Sequence, residues 1–569
     1  MNYPVTKLAE LSHQRQGWLA WMRSRARLNG WHLMGGPGSG KSRVAGRFIG
    51  WSDFINGSPL VMIDPTGGTI DNFLDKLIHL PYILHDQLHM HLPDAVYEQL
   101  WERIQYVDMS RQDVIVPFPL YYRLTTDESL YVTAQRFLDV VRRIDVALQE
   151  APIEGFNALY KVGTYTGMIL AALGLQITEA EDLIRHPDRW KARFEQAQAA
   201  YPEVRPAVEF FREFATKPEL RTRRSEAFLT KILAFSADPS MAAIFGATTP
   251  GIDWTQVIAK RQAVLLDFRG ELSFELRRFK LLWCLTYLVT FLKQRGFAGR
   301  QAPLSLFIDE VTQLLGFRTQ EQAMMAEDLE ELISVVARNY GVWLTIAHQS
   351  LTQLDQRIQS ALMRMGTQMI GSTPDPDDAL YLARQFLKYD PYWVKKTETV
   401  WMTLPENVAA QTLPWLWKSQ EALVSAMVSD RPMPVPIDRR TIEFTPEEQT
   451  LLLANQFQHL GRFQFLTRRA ATEGQITGSL HLLDIARLDQ SLYPDEAQMV
   501  AVRRRLHQRS GTPLATLLSE IEGRRRGASG SAKPPVKAAH ATLTAGNTNA
   551  QAETGRDLSK PPKPEDFWR

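Results

Sequence analysis

Gly35-Gly36-Pro37-Gly38-Ser39-Gly40-Lys41-Ser42 meets every fixed position of the phosphate-loop pattern G-x-x-x-x-G-K-[ST]. The residue types follow from what such a loop has to do. Glycines let the backbone wrap a phosphate chain with its N–H groups turned inward, at the positive end of a helix that starts there. Lys41 is then placed to reach the β- and γ-phosphates, and Ser42 to put its hydroxyl on Mg2+. Trp31-His32-Leu33-Met34 reads as the strand leading in, and Arg43-Val44-Ala45-Gly46-Arg47-Phe48-Ile49 as the helix leading out. A glycine-rich turn that binds nothing is the competing reading, and the strand–loop–helix context argues against it. The eight loop residues and Arg43 are therefore the candidate ATP-binding set, with Ser42 a candidate Mg2+ ligand.

Downstream, Pro59-Leu60-Val61-Met62-Ile63-Asp64-Pro65-Thr66-Gly67-Gly68 is an apolar run ending in an acid and a turn, and Ile104-Gln105-Tyr106-Val107-Asp108 repeats it. Strand signals alternating with helical ones predict an α/β fold with a parallel sheet. Over residues 127–248 helical spacing takes over, as in Phe137, Val140, Val141 and Ile144, then Phe210, Phe211 and Phe214. This predicts an all-α insertion that splits the core into 31–126 and 249–425. Strands return at Ala263-Val264-Leu265-Leu266-Asp267-Phe268, at 304–309, at 342–347 and at Gln368-Met369-Ile370-Gly371.

Leu304-Ser305-Leu306-Phe307-Ile308-Asp309-Glu310 ends an apolar strand on two carboxylates. Beside a phosphate loop that pair suits phosphoryl transfer to water: Asp309 holding Mg2+, Glu310 orienting or deprotonating the water. A kinase, which must exclude water, is disfavoured. Arg338-Asn339-Tyr340-Gly341 then gives a helix end and a tight turn, and Val342-Trp343-Leu344-Thr345-Ile346-Ala347 a strand finishing on His348 and Gln349. Gln349 suits contact with a γ-phosphate or the capping of a buried backbone group. Arg338 suits an arginine finger from a neighbouring subunit, and on spacing alone it suits the C-terminal dipole of a helix better.

Composition narrows the class. At 569 residues the chain exceeds one core, and 44% apolar with 22% charged residues is an ordinary globular balance. A net charge of +2 leaves any nucleic-acid surface to local patches. The lone Cys284 excludes an internal disulfide framework and a cysteine-rich zinc site, and it suits a reducing cytoplasm. No signal-peptide pattern opens the chain, and the most apolar run, 281–292, falls short of a membrane span. A soluble, cytoplasmic protein is expected.

At the flanks, residues 1–30 read as a helix on the spacing of Leu8, Leu11, Trp18, Leu19 and Met22. Residues 426–445 read as a proline-rich linker, and 446–526 as a helical domain opening on the helix-start signature Thr445-Pro446-Glu447-Glu448. Arg462, Arg468, Arg469, Arg503, Arg504, Arg505 and Arg509, then Arg524-Arg525-Arg526, give that domain a basic character with Phe457, Phe463 and Phe465 interleaved. Such a module suits DNA phosphates, although Asp484, Asp489, Asp495, Glu496, Glu520 and Glu522 dilute it and favour a solvated face. Residues 527–569 have the composition of a disordered tail, closed by Phe567-Trp568-Arg569.

Taken together, Gly35-x4-Gly40-Lys41-Ser42, Ile63-Asp64-Pro65-x-Gly67, Phe307-Ile308-Asp309-Glu310 and Ala337-Arg338-x-Tyr340-Gly341 with Ala347-His348-Gln349-Ser350 resemble the FtsK–HerA motor superfamily. Within it the likeness is to the coupling ATPases of conjugation and type IV secretion, over roughly residues 30–400. The resemblance implies a RecA-like core with an all-α insertion and a ring, by family habit a hexamer, that moves DNA. It further implies Arg338 as a finger acting in trans and Gln349 as a γ-phosphate sensor. A relaxase, a secretion channel or a membrane anchor are the implied partners. Thr66 stands where the family usually carries lysine. The family's N-terminal membrane helices or β-barrel do not fit in the first 30 residues, so a reduced, soluble member that relies on a partner for membrane contact is expected. A secretion-assembly ATPase acting on protein, and a nucleotide-gated recruitment scaffold with little turnover, are the alternatives.

Overall fold

Leu60-Val61-Met62-Ile63-Asp64 is buried at every residue, which is the mark of a strand covered by helices on both faces. The computed structural model describes residues 5–7, 25–89, 91–125, 127–144, 153–296, 302–315, 328–468, 480–485 and 495–528. Its strands are β1 (Val5–Lys7), β2 (Trp31–Met34), β3 (Leu60–Asp64), β4 (Ile104–Asp108), β5 (Val114–Ile115), β6 (Ala263–Asp267) and β7 (Leu304–Ile308). They continue as β8 (Val342–His348), β9 (Thr367–Ile370), β10 (Val394–Pro405), β11 (Pro432–Glu443), β12 (Gln464–Arg468), β13 (His481–Asp484) and β14 (Thr512–Pro513).

Ten strands form one sheet in the order β1-β13-β12-β9-β2-β8-β7-β3-β6-β4. From β9 to β4 every pairing is parallel, so the predicted α/β class with a parallel sheet is the one the chain adopts. β12 alone runs against its neighbours. The register brings the C-terminal ends of the parallel strands to one edge, pairing Met34 with His348, Ile308 with Ile346, and Asp267 with both Asp64 and Asp108. In open α/β sheets that edge is where ligands bind.

Between β5 and β6 the chain is helical, including Leu130–Ile144, Ile153–Ala172, Arg205–Thr216 and Pro218–Ala237. Phe137, Phe235, Phe245 and Phe279 meet edge-on with ring centroids 5.3–5.7 Å apart. Phe279 belongs to the helix Phe274–Arg295, so this cluster ties the helix that follows β6 to the helices between β5 and β6. No single described helix is long and apolar enough to cross a membrane.

The flanks depart from expectation. Val5–Lys7 is a strand, and Leu8, Leu11, Trp18, Leu19 and Met22 lie outside the described residues. Pro432–Glu443, expected within a linker, is a 12-residue strand paired antiparallel with β10. Pro432, Pro434 and Pro436 recur every second residue, so their missing N–H groups fall on one edge of the ribbon and cost no ladder bond. Nor is 446–526 one helical domain. Pro446–Gln458 belongs to a compact unit of its own, Pro374–His459, where Phe386 and Phe457 pack with ring centroids 5.9 Å apart. Its start is the expected capping box, with Thr445 and Glu448 exchanging side-chain-to-backbone bonds of 3.2 and 3.1 Å.

After His459 the chain returns to the main unit, where β12 and β13 extend the sheet and the helices Glu496–Ser510 and Leu514–Ala528 follow. Several of the arginines suspected of reading phosphate hold these helices down. Arg503 bonds Asp71 at 2.7 Å, Arg509 the carbonyl of Trp101 at 2.7 Å, and Arg525 the carbonyl of Thr178 at 2.9 Å. Arg469 and most of the predicted tail, including Phe567-Trp568-Arg569, lie outside the described residues.

Candidate active site

β2 delivers the chain to the phosphate loop, and Gly40 leaves it with φ at +103° before the helix begins at Lys41. That helix runs Lys41–Arg43, widens to a π turn over Val44–Gly50 and closes as Trp51–Ile55. The Lys41 ammonium folds back onto the carbonyl oxygens of Gly35 and, at 3.3 Å, Gly36. Burial pushes its pKa down, against the pull of Glu310 and Asp309.

Those two acids follow β7 at the same sheet edge. Asp309 accepts the hydroxyl of Thr69 at 2.6 Å and the Glu310 N–H at 3.0 Å. Glu310 has φ at +46°, a left-handed conformation that a non-glycine residue holds only when its surroundings impose it. Both its carboxylate oxygens are engaged: Thr312 donates to one at 2.6 Å, and Gln349 Nε2, from the end of β8, donates to the other at 2.9 Å. A carboxylate on a strained backbone, gripped from two elements beside a buried lysine, is a preorganised group.

Asp64, fully buried at the end of β3, accepts the N–H groups of Thr66, Gly67, Thr69 and Ile70 at 2.7–3.1 Å and the Thr66 hydroxyl at 3.0 Å. It thereby caps the helix Gly68–Ile78, whose Thr69 reaches Asp309. Burial and the nearby Asp309 push Asp64 up to about 7. Beneath the loop, His32 of β2 and His348 of β8 lie parallel with Nε2 atoms 2.5 Å apart. Burial lowers both, His32 to about 4, so the pair is neutral at pH 7.

Among solved structures the chain is similar to "Bacterial conjugative coupling protein TrwBdeltaN70", unbound, at 14% identity over 85% of this chain and 94% of that one, with a TM-score of 0.44. It is also similar to "Plasmid coupling protein TrwB" in complex with a non-hydrolysable ATP analogue, at 14% identity over 87% and 92%, TM-score 0.43. The GTP-analogue complex of TrwB gives 14%, 87% and 93%, with 0.42. No protein-family model and no curated protein matches the chain.

Of the residues singled out from the sequence, Lys41, Asp309, Glu310 and Gln349 gather at one edge, on the loop and on the ends of β7 and β8. Arg338 does not join them within its own chain. It sits in the short helix Ala337–Asn339 before β8, at the far end of a seven-residue strand from Gln349, about 20 Å away at the usual rise. Thr69, Thr312, Asp64 and His32 were not foreseen as site residues. Of these, Asp64 carried a sequence signal, as the acid that ends the apolar run before the Gly67-Gly68 turn. Among the described residues no group of three or more His, Cys, Asp or Glu could hold a metal. The donors present, the Ser42 hydroxyl and the Asp309 carboxylate, are hard oxygens of the kind Mg2+ takes alongside water and phosphate.

Proposed function

We propose that this chain is an ATP-driven DNA translocase of the coupling-protein type, hydrolysing MgATP at the subunit interfaces of a ring. The observation that carries the reading is Glu310: strained, bonded to Gln349 and Thr312, and within electrostatic reach of Lys41. In this scheme the loop N–H groups bind the phosphates, and Lys41 exchanges its carbonyl partners for β- and γ-phosphate oxygens. Mg2+, held by Ser42 and Asp309, would neutralise charge on the phosphates. Glu310 takes a proton from the attacking water, which adds to the γ-phosphorus as the bond to ADP breaks. Gln349, bonded to Glu310, reports whether the γ-phosphate is present. Arg338 acts on the pocket of the neighbouring subunit, which accords with its distance from its own loop.

The test is the ATPase rate of the purified chain with and without single- and double-stranded DNA, alongside native mass. Turnover that DNA stimulates, from an oligomer, is expected, and Lys41→Ala should abolish it. A chain that stays monomeric with ATP and DNA present, or that is indifferent to Lys41→Ala, would overturn the reading.

A further inference from the structure

The phosphate loop is bonded to both of the connections through which the chain enters and leaves the compact unit Pro374–His459. On the way in, β9 ends at Ile370, Gly371 N–H bonds the Met34 carbonyl at 2.8 Å, and the Ser372 carbonyl accepts the N–H of Gly36 at 2.6 Å. On the way out, the N–H of Phe463 donates to the carbonyl of Ser39 at 2.9 Å. Ile370 and Leu466 are paired, so the unit is inserted into an antiparallel β9–β12 pair whose open end is the phosphate loop.

Phe463 is built for this position. It holds φ at +69°, a conformation a phenylalanine takes only under constraint, and it is 6% exposed. Its ring fills the space over Gly40, where any β-carbon would strike it. The guanidinium groups of Arg43, from the loop helix, and Arg462 lie over the ring at 4.7 and 4.9 Å. The Ile485 N–H, just past β13, bonds the Phe463 carbonyl at 3.0 Å and fixes the residue from the other side.

We propose that nucleotide occupancy of the phosphate loop is transmitted to the unit Pro374–His459 through Ser372 and Phe463, with Phe463 the positioning residue. The inference rests on the loop binding nucleotide. A bound phosphate chain needs the loop N–H groups turned toward it and draws Lys41 off the Gly35 and Gly36 carbonyls. Peptide planes that turn at Gly36 and Ser39 pull on Ser372 and Phe463, which lie just before the unit begins and just after it ends. Coupling of this kind is reciprocal: whatever loads the unit changes nucleotide affinity by the same factor, of the order of 5–150-fold where such coupling is developed.

Amide hydrogen exchange of the full chain, with and without a non-hydrolysable ATP analogue, tests this, with binding followed in parallel by a fluorescent nucleotide. The expected result is altered protection in the helices Pro376–Phe386 and Pro446–Gln458 of the wild type when nucleotide is bound. Phe463→Gly accepts the positive φ and keeps the N–H donor while removing the ring. It should still bind nucleotide but lose the response, and Phe463→Tyr should keep it. Nucleotide binding with no change in the wild-type helices overturns the inference and leaves the ATPase reading intact. An undiminished response in Phe463→Gly overturns the role of Phe463. No nucleotide binding at all overturns both. The wild-type comparison decides the coupling even if Phe463→Gly fails to fold.

Discussion

The side-chain amide of Gln349 donates to the carboxylate of Glu310 across 2.9 Å, tying the end of β8 to the residue that follows β7. An amide that grips the proposed base is in a position to move it. A γ-phosphate competing for that amide would alter the carboxylate's position at the moment of turnover.

Glu310→Gln keeps the size and both neighbours but removes the proton acceptor. ATP should bind with little change while kcat falls by about 10²–10⁴-fold. Equilibrium binding of a fluorescent nucleotide beside steady-state hydrolysis separates the two. A variant that turns over at the wild-type rate would remove Glu310 from the chemistry.

Arg338 and Lys41 occupy different pockets if the seam is shared. Lys41→Ala and Arg338→Ala should each be inactive alone, the latter by about 10³-fold or more. Mixing them should restore part of the activity, because some interfaces then carry both intact residues. Mixtures no more active than either parent would argue that Arg338 has no role across the seam.

Arg27 and Asp53 form a buried ion pair, with Arg27 1% and Asp53 3% exposed, and Ser305 also donates to Asp53. Arg27 further lies over the rings of Trp31 and Trp343 at 4.8 and 4.7 Å. Arg27→Met keeps the packing but strands the carboxylate, and should cost about 3–5 kcal/mol in urea unfolding. Arg27→Met with Asp53→Asn should recover much of that loss.

His32 titrates at about 4 when folded against 6.5 when free. As pH falls below 6.5 the unfolded chain takes up a proton that the folded one refuses. Stability is therefore lost from 6.5 down to about 4, by at most about 3 kcal/mol. Asp64, raised to about 7 from 3.8, acts in the opposite sense, its contribution falling as pH rises from 3.8 to 7. The difference between wild type and His32→Gln reports the histidine pair, because His348 is lowered by burial and by His32 itself. Unfolding free energies at pH 7 and pH 5 should show a flatter, or more nearly reversed, dependence in the variant.

Arg503→Ala removes the bond from the C-terminal helix Glu496–Ser510 to Asp71. A loss of about 1–2 kcal/mol in stability is expected, the arginine being only partly buried. The salt dependence of any DNA binding should be unchanged, since this guanidinium is already engaged. A reduced salt slope would return Arg503 to the nucleic-acid surface.

Local pattern carried the reading wherever function depends on residues close together in the chain. Gly35 to Ser42 needs its glycines and lysine at set intervals, and the paired acids Asp309 and Glu310 need only an apolar strand before them. Proximity of β7 to β8 could be anticipated because β/α alternation builds parallel neighbours. The region after residue 425 resisted for a different reason. Pro432, Pro434 and Pro436 read as breakers because their tolerance in a strand depends on which edge is unpaired. Gln464-Phe465-Leu466-Thr467-Arg468 is too short and too flanked by charge to declare itself, and it is a strand because β9 offers it an edge.

The sequence alone determined the parallel α/β class and the positions of the loop 35–42 after β2 and of Asp309 and Glu310 after β7, since each rests on spacing within a single element and its turn. Tertiary structure alone decided which distant residues meet. Phe463 meets Gly40, Gln349 meets Glu310, His32 meets His348, and Arg503, Arg509 and Arg525 meet an acid and two carbonyls of the core. These contacts span tens to hundreds of residues, and their partners are chosen by sheet order and register, which no local pattern encodes.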